Sequence, residues 1–464
     1  DAEQQIDFPK DSLFISDAGY KLKISDDMKR VFFSVQSKPK ITLPVGASQV
    51  QLWNGNAKWV YPMEEMEKIG YGGTHLALWR PLEATFMMVS NDSLPKFMLT
   101  GDQRYAILSN PKQYEPQYAY EGDRDFYLVD LSSGKSSLFL KKQFGNSGYT
   151  IPSPTGKYVA YFKEKNWWIY NIANNSHTII TKKIGSPFFH NEKQHPQAVE
   201  IYPSLGWTIN DREILLCDEY DIWAITPDGK LARRLTHGRE SQTEFRLAGL
   251  EFGFATKTNY NGAIHQTINL SDGLLLLESK NQGVTSGYYK LSPKNNENLI
   301  FSEDSRLNGL IKSTVANTYA YLEQRFDLPP RIMIKTNSQT AKILVQSNPQ
   351  HQQFSWGRSE LIQYKNVKGE ILNGVLYYPA NYDSQKKYPM IVYIYERLSK
   401  RLHDYINPSQ FTGQENGFNI TNFTTQGYFV FTPDISYEIG NVGVSATDCV
   451  VSATKEVINR GLVK

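Results

Sequence analysis

Over roughly the first 350 residues, apolar residues come in short runs, each introduced by a compact polar turn. One phrase recurs: a turn carrying Asp, Asn or Gly, a residue or two, then an apolar strand. It reads Ser25-Asp26-Asp27-Met28-Lys29-Arg30-Val31-Phe32-Phe33 and returns at 100–108, 153–162 and 208–216. Weaker copies start at Leu270 and Thr314. Most copies lie roughly 45–60 residues apart, the length of a four-stranded propeller blade. The gap between the first two is longer and predicts an insertion or a degenerate blade within 37–95.

A second signal follows the phrase. Phe126-Tyr127-Leu128-Val129-Asp130-Leu131 runs into Ser133-Gly134. Trp167-Trp168-Ile169-Tyr170-Asn171-Ile172 runs into Asn174-Asn175, and Ile222-Trp223-Ala224-Ile225 into Asp228-Gly229. Those turn residues tolerate positive φ, so each reads as a hairpin. Short periodic strands, with no long amphipathic helix before residue 440, predict an all-β propeller over 1–355. About six blades are visible, and the first is open to being incomplete. A pair of β-sandwiches is the alternative architecture.

From 356 to 464 the pattern changes. Residues 360–366 and 369–379 predict two strands on a Lys368-Gly369 turn. Ile391-Val392-Tyr393-Ile394-Tyr395 is a short apolar run suited to a strand buried on both faces, and 427–431 is another. Ser445-Ala446-Thr447-Asp448 fits a capping box, and Cys449, Val450, Ala453, Val457 and Ile458 follow at helical spacing. Gly461 stands where a helix-ending glycine belongs. Strand, long loop, strand, helix is the opening of a parallel α/β sheet.

Composition adds limits. The 464 residues exceed one compact core, so two domains are expected. The 29 Tyr and 23 Phe favour strands. A net charge of +3 gives no reason to expect nucleic acid. No apolar run approaches the ~20 residues that span a bilayer. Cys217 and Cys449 fall in different predicted domains, so neither a disulfide nor a thiolate zinc site is expected. The sequence starts at Asp1 without a signal segment, which suggests a mature, cut or shortened chain, with a periplasmic or secreted setting slightly favoured over a cytoplasmic one.

The layout and the run Tyr388-Pro389-Met390-Ile391-Val392-Tyr393-Ile394-Tyr395 resemble the prolyl oligopeptidase family of serine peptidases, nearest its bacterial dipeptidyl and acylaminoacyl peptidase-like members. Pro433-Asp434-Ile435-Ser436-Tyr437-Glu438-Ile439-Gly440 and Gly443-Val444-Ser445-Ala446-Thr447-Asp448 extend the resemblance. It implies a propeller over 1–355, followed by the N-terminal part of an α/β-hydrolase domain over 356–464. It also implies a Ser-His-Asp triad that forms an acyl-enzyme with short peptides, without a cofactor or metal. The nucleophile belongs on a G-x-S-x-G elbow. Gly443-Val444-Ser445-Ala446-Thr447 lacks the last glycine, and Ser445 reads better as an N-cap. Gly357-Arg358-Ser359-Glu360 also fails. None of the three triad residues is therefore expected within these residues, and the chain alone is expected to be inactive.

In the family a Tyr after the first long hydrolase strand donates to the oxyanion, and Tyr395 occupies that place. It departs from the usual Tyr-Gly-Gly, being followed by Glu396-Arg397-Leu398. A Tyr at a strand end with a buried ring is the plain structural reading. Paired propeller glutamates hold the substrate amine in dipeptidyl relatives. Glu64 and Glu65 are the adjacent pair here, against the plainer reading of a solvated helix start. Arg124, between Asp123 and Asp125, reads as a salt-bridged turn rather than a carbonyl anchor. His190, Asn191, Glu192 and His195 read as a loop, not a metal site, and His403 stands in the wrong chain order for the triad.

The expected partner is a peptide substrate. The remainder of the catalytic domain, or a second copy of the chain, is the candidate cover for the open hydrolase sheet. A non-catalytic propeller that binds peptides or glycans is the rival function. A scaffolding propeller is a third, disfavoured by 360–461, which a scaffold does not need.

Overall fold

The structure is a computed structural model that describes residues 4, 8–17, 21–38, 51, 53–71, 73–114, 121–190, 199–248, 256–258, 263–265, 267–280, 283–336, 339–409 and 418–464. The chain is mostly β. Six antiparallel sheets follow one another in sequence, and each turn phrase leads into the second strand of one of them or, in the first sheet, its central strand. The central strands reached are Val31–Ser37, Tyr105–Ser109, Tyr158–Lys163, Ile214–Cys217, Leu274–Lys280 and Thr318–Arg325.

The phrase has a physical cause. The hydroxyls of Ser25, Thr100, Ser153 and Thr208 accept the backbone N–H of Arg30, Tyr105, Tyr158 and Glu213, at 2.9–3.1 Å. The same pairs share a backbone bond in the other sense, such as Ser153 N–H to Tyr158 O at 2.8 Å. Closing this loop puts its fourth residue at positive φ: Met28, Gln103, Gly156 and Asp211. Thr226 repeats the device in a hairpin, with Leu231 N–H donating to its Oγ1 at 3.2 Å and Gly229 at φ +64°.

These turns also dock sheet to sheet. Asp26 N–H donates to Gln103 Oε1 at 2.9 Å, and Gln103 Nε2 returns a bond to Asp26. Gly101 N–H reaches Ser153 O, and Thr155 N–H and Oγ1 donate to Asp211. Ile209 N–H and Ile268 N–H bind across the fourth and fifth sheets. Behind the turns, facing sheets interleave apolar side chains. Trp167 and Trp207, both fully buried, lie in the cluster joining the third and fourth sheets. Similar clusters join first to second, second to third, fourth to fifth and fifth to sixth.

The long first gap is an insertion. Its helix, Tyr61–Tyr71, stands between two strands of the first sheet, Val31–Ser37 and Thr74–Arg80. A further hairpin, Thr256–Thr258 with Ala263–His265, interrupts the fifth sheet.

The last sheet is mixed, in the order Ser359–Lys365, Ile371–Tyr377, Phe429–Pro433, Met390–Val392. Its last pair is parallel. The helix Val442–Asn459 lays Cys449, Ala453 and Val457 against Ile362, Tyr364, Phe429 and Phe431.

Two local expectations are corrected. The run 391–395 is a strand only over Met390–Val392, and it is not buried on both faces: Ile394 and Tyr395 are 55% and 56% exposed. Among the described residues the strand pairs with a single neighbour, and Phe429 N–H to Pro389 O and Tyr393 N–H to Phe431 O extend that ladder by one bond at each end. The helix begins at Val442, one turn before Ser445. Ser445 is therefore no N-cap. Its Oγ lies within donating distance of Asn441 O at 3.0 Å and accepts Glu438 N–H, while Asp448 accepts Val367 N–H instead of closing a box. Gly461, at φ +73°, does end the helix, through its N–H to Ile458 O at 2.9 Å.

Thr208 is buried, so Thr208→Val strands the Glu213 N–H. We expect a loss of about 1–2 kcal/mol of unfolding free energy, read from the shift in the denaturant midpoint. Thr226→Val, at an outer and more exposed turn, should cost less than about 0.5 kcal/mol.

Candidate functional site: a cavity under the loop after Tyr395

The parallel strand Met390–Val392 delivers the chain into a loop that crosses to the six sheets. Its start is fixed by Asp434, just past Phe429–Pro433. Asp434 Oδ1 accepts both Leu398 N–H at 2.8 Å and Ser399 N–H at 2.9 Å. Ile435 N–H donates to Glu396 O, adding a third tie. Burial raises the Asp434 carboxyl above the usual carboxylate range, against these N–H bonds and the nearby Arg397 charge, which lower it.

The far end of the loop is tied to the fifth and sixth sheets. Lys400 Nζ lies 3.5 Å from Glu244, and Arg306 pairs with Asp404. His403 Nε2 donates to Val284 O at 2.8 Å. Burial pushes the His403 imidazole below its ordinary range, which keeps the ring neutral at neutral pH.

Between loop and sheets lies a cavity of about 550 Å³. Its walls are the first strands of three successive sheets, Ser204–Trp207, Thr243–Leu247 and Arg306–Lys312. Leu277, Glu278, Ser279, Gly283 and Ser286 of the fifth sheet join them, and Lys400 and His403 form the roof. Leu205, Leu247, Leu277 and Leu307 make the surface largely apolar. Glu278 is 4% exposed, with Ser302 Oγ at 2.9 Å and Tyr289 OH at 3.4 Å. Gly287 makes room for it: a Cβ there would come 2.4 Å from Glu278 Oε2.

The residues singled out from sequence do not converge on this cavity, His403 excepted. Tyr395 stands before the loop, its hydroxyl without a hydrogen-bond partner among the described residues. It lies close enough to Tyr437 to act on that phenol electrostatically. Glu64 and Glu65 sit on the helix Tyr61–Tyr71 and are not in the cavity lining, and Glu64 is bound by Lys112 at 3.1 Å. Arg124 is in a strand, not a turn, and pairs with Glu121. His190 packs on Tyr202, with ring centroids 4.0 Å apart. Asn191, Glu192 and His195 lie outside the described residues.

The cavity's own polar residues, Ser204, Glu278 and Asn308, carry no motif. The one available signal was Glu278, which replaces the apolar residue due after Leu274 and Leu276 on the buried face of its strand.

No family model matches the chain, and no curated protein matches it. Solved structures do. One is a Bacteroides ovatus protein assigned as a dipeptidyl aminopeptidase IV: 13% identity, TM-score 0.53, covering 98% of this chain and 70% of that one. Pyrococcus horikoshii acylaminoacyl peptidase gives 12% identity and TM-score 0.43, with 97% and 65% covered. A puromycin-hydrolyzing peptidase of Mycobacterium tuberculosis gives 10% and 0.42, with 96% and 72% covered. At these identities the likeness is one of fold, and the first comparison carries it. Among the described residues no helix is long and apolar enough to cross a membrane.

Asp434 should make the loop sensitive to pH. Its carboxyl holds a proton to higher pH in the folded chain than in the unfolded one, so its contribution to stability falls as pH rises from about 4. Asp434→Asn keeps an acceptor for both N–H groups without the charge. Denaturant midpoints at pH 4 and 7 should show the variant gaining on the wild type at the higher pH. Asp434→Ala should instead speed hydrogen exchange at Leu398 and Ser399, read by mass spectrometry.

Proposed function

We propose that the chain is the propeller and the first part of the α/β-hydrolase domain of a prolyl oligopeptidase-like serine peptidase. In this reading the boundary is near residue 355, and its support is that the sixth sheet's last strand, Lys342–Gln346, and the mixed sheet's first, Ser359–Lys365, lie on either side. The observation that carries this reading is the fold likeness to the Bacteroides ovatus structure over 98% of this chain. The cavity supports it. A loop leaving the parallel strand of the mixed sheet roofs a chamber walled by three of the other sheets. A peptide held there lies beside the sheet on which such hydrolases place their nucleophile.

In this reading Tyr395 is the oxyanion donor. Its hydroxyl is free to point at charge that develops only in the transition state, where a preorganised donor is worth most. The triad is not carried by these residues. Ser445 is turned into its own helix by its bonds to Asn441 and Glu438, and Ser359 Oγ donates to Leu402 O at 2.7 Å. Neither is an activated nucleophile, since neither is hydrogen-bonded to a histidine base. Glu64 and Glu65 as an amine clamp have less support, given the Lys112 partner.

The second reading is a binding protein that uses the same cavity without turnover. Its support is the dense set of bonds that already fix the loop and its roof. A fluorophosphonate probe separates what this chain does alone. We expect no labelling of the 464-residue protein and no serine-type turnover of fluorogenic dipeptides or acyl-peptides. Covalent labelling of any serine would overturn the assignment of the nucleophile outside these residues.

A further inference from the structure

The cavity's charges do not balance. Among the described residues its lining carries three cations, Arg246, Arg306 and Lys400, and two carboxylates, Glu244 and Glu278. Glu244 is shared: Arg246 Nη2 lies 3.9 Å from one of its oxygens and Lys400 Nζ 3.5 Å from the other. Both separations exceed that of a charge-assisted hydrogen bond, about 2.7–2.9 Å. Arg306 pairs with Asp404, but Arg401, from outside the lining, takes the same carboxylate at 3.0 Å. Glu278 offsets none of these cations at close range. It is 4% exposed, and its oxygens meet the Ser302 and Tyr289 hydroxyls instead. His403, kept neutral by burial, adds no charge. The wall therefore carries an excess of positive charge.

The cations are reachable, and one is already positioned. The Lys400 and Arg306 side chains are 67% and 43% exposed, and that of Arg246 is 20% exposed. Phe245 O at 2.8 Å and Glu219 O at 2.9 Å fix the Arg246 guanidinium, and neither oxygen neutralises it. Arg246 and Lys400 approach the two oxygens of one carboxylate, so a single further anion beside Glu244 can face both. Leu205, Leu247, Leu277 and Leu307 surround these charges with apolar surface. Attraction between charges is screened less in such a recess than on an open surface.

We infer that this cavity binds a short peptide through a carboxylate, with Arg246 and Lys400 facing the anion and the leucines taking an aliphatic side chain. A peptide's C-terminus and an acidic side chain both supply that carboxylate. The inference rests on the peptide reading of the site for its class of ligand, and it requires no catalysis.

Four matched dipeptides separate the cases. N-acetyl-leucyl-glutamine amide is neutral, and N-acetyl-leucyl-glutamate α-amide carries a side-chain carboxylate. N-acetyl-leucyl-glutamine carries a terminal carboxylate, and leucyl-glutamine amide an ammonium. Each is titrated calorimetrically into the full chain at neutral pH. At least one carboxylate compound should bind ~5-fold or more tightly than the neutral one, and the tighter of the two identifies the source. Lys400→Gln should weaken that compound roughly 3-fold. Glu244→Gln frees both cations from their shared carboxylate, so it should tighten that compound roughly 3-fold and leave the neutral one unchanged. A misfolded variant cannot bind more tightly, so this gain is decisive.

A neutral compound that binds within ~5-fold of both carboxylates would overturn the proposal. Tightest binding by the ammonium compound would overturn it in favour of Glu278. Failure of Glu244→Gln to tighten binding, or of Lys400→Gln to weaken it, would overturn it as well. Absence of binding by all four at about 10 mM would end it. These outcomes are read at equilibrium, so they stand apart from fluorophosphonate labelling, which tests the peptidase reading.

Discussion

A side-chain hydroxyl that accepts the N–H five residues ahead is the constraint on which most of this molecule depends. At Ser25, Thr100, Ser153 and Thr208 it closes a tight loop and forces the fourth residue into the left-handed region. The closed loop leaves polar edges that the next sheet's loop can meet, as Asp26 meets Gln103 and Thr155 meets Asp211. Gly101 and Gly156 take part because a Cβ on either would fall within 2.5 Å of the neighbouring turn. With the turns docked, the apolar faces behind them register, and Trp167 and Trp207 are sealed in a shared core.

The same docking puts first strands of successive sheets side by side. The cavity is a consequence: its walls are three such strands, and its roof is a loop borrowed from the mixed sheet. The loop is pinned at both ends by different means. Asp434 uses a buried carboxylate against two amides, which resists solvent screening. Lys400 and Glu244 make an exposed pair at 3.5 Å, which screening weakens. The chamber end has further ties, from His403 Nε2 to Val284 O at 2.8 Å and from Arg306 to Asp404, so the loop is held along its length.

Much of the fold was legible along the chain because its signals are local. The opening Ser or Thr, the polar turn and the apolar run all lie within about ten residues, so the phrases at 100–108, 153–162 and 208–216 mark real sheets. The positive-φ place favours Gly or Asp, as at Gly156 and Asp211, although Gln103 fills it at 100–108. Gly461 ended its helix for the same reason. The start of that helix was misplaced because Ser-x-x-Asp scores as a box whatever precedes it. Only the neighbouring Glu438 and Val367 amides, which claim Ser445 and Asp448, exclude it. The strand at Met390–Val392 was drawn too long because an apolar run says nothing of how many neighbours the strand will have.

The candidate site was largely illegible, and for one reason. Ser204, Glu278 and Asn308 stand on strands of three different sheets, and nothing in their spacing links them. The sequence by itself determined the repeating turns and the number of sheets they introduce, since each follows from contacts within a few residues. Which polar groups share a chamber, which are already paired there and which remain unmatched were decided only when distant strands packed together. Burial and the loss of water partners are properties of the assembled interior and not of any segment.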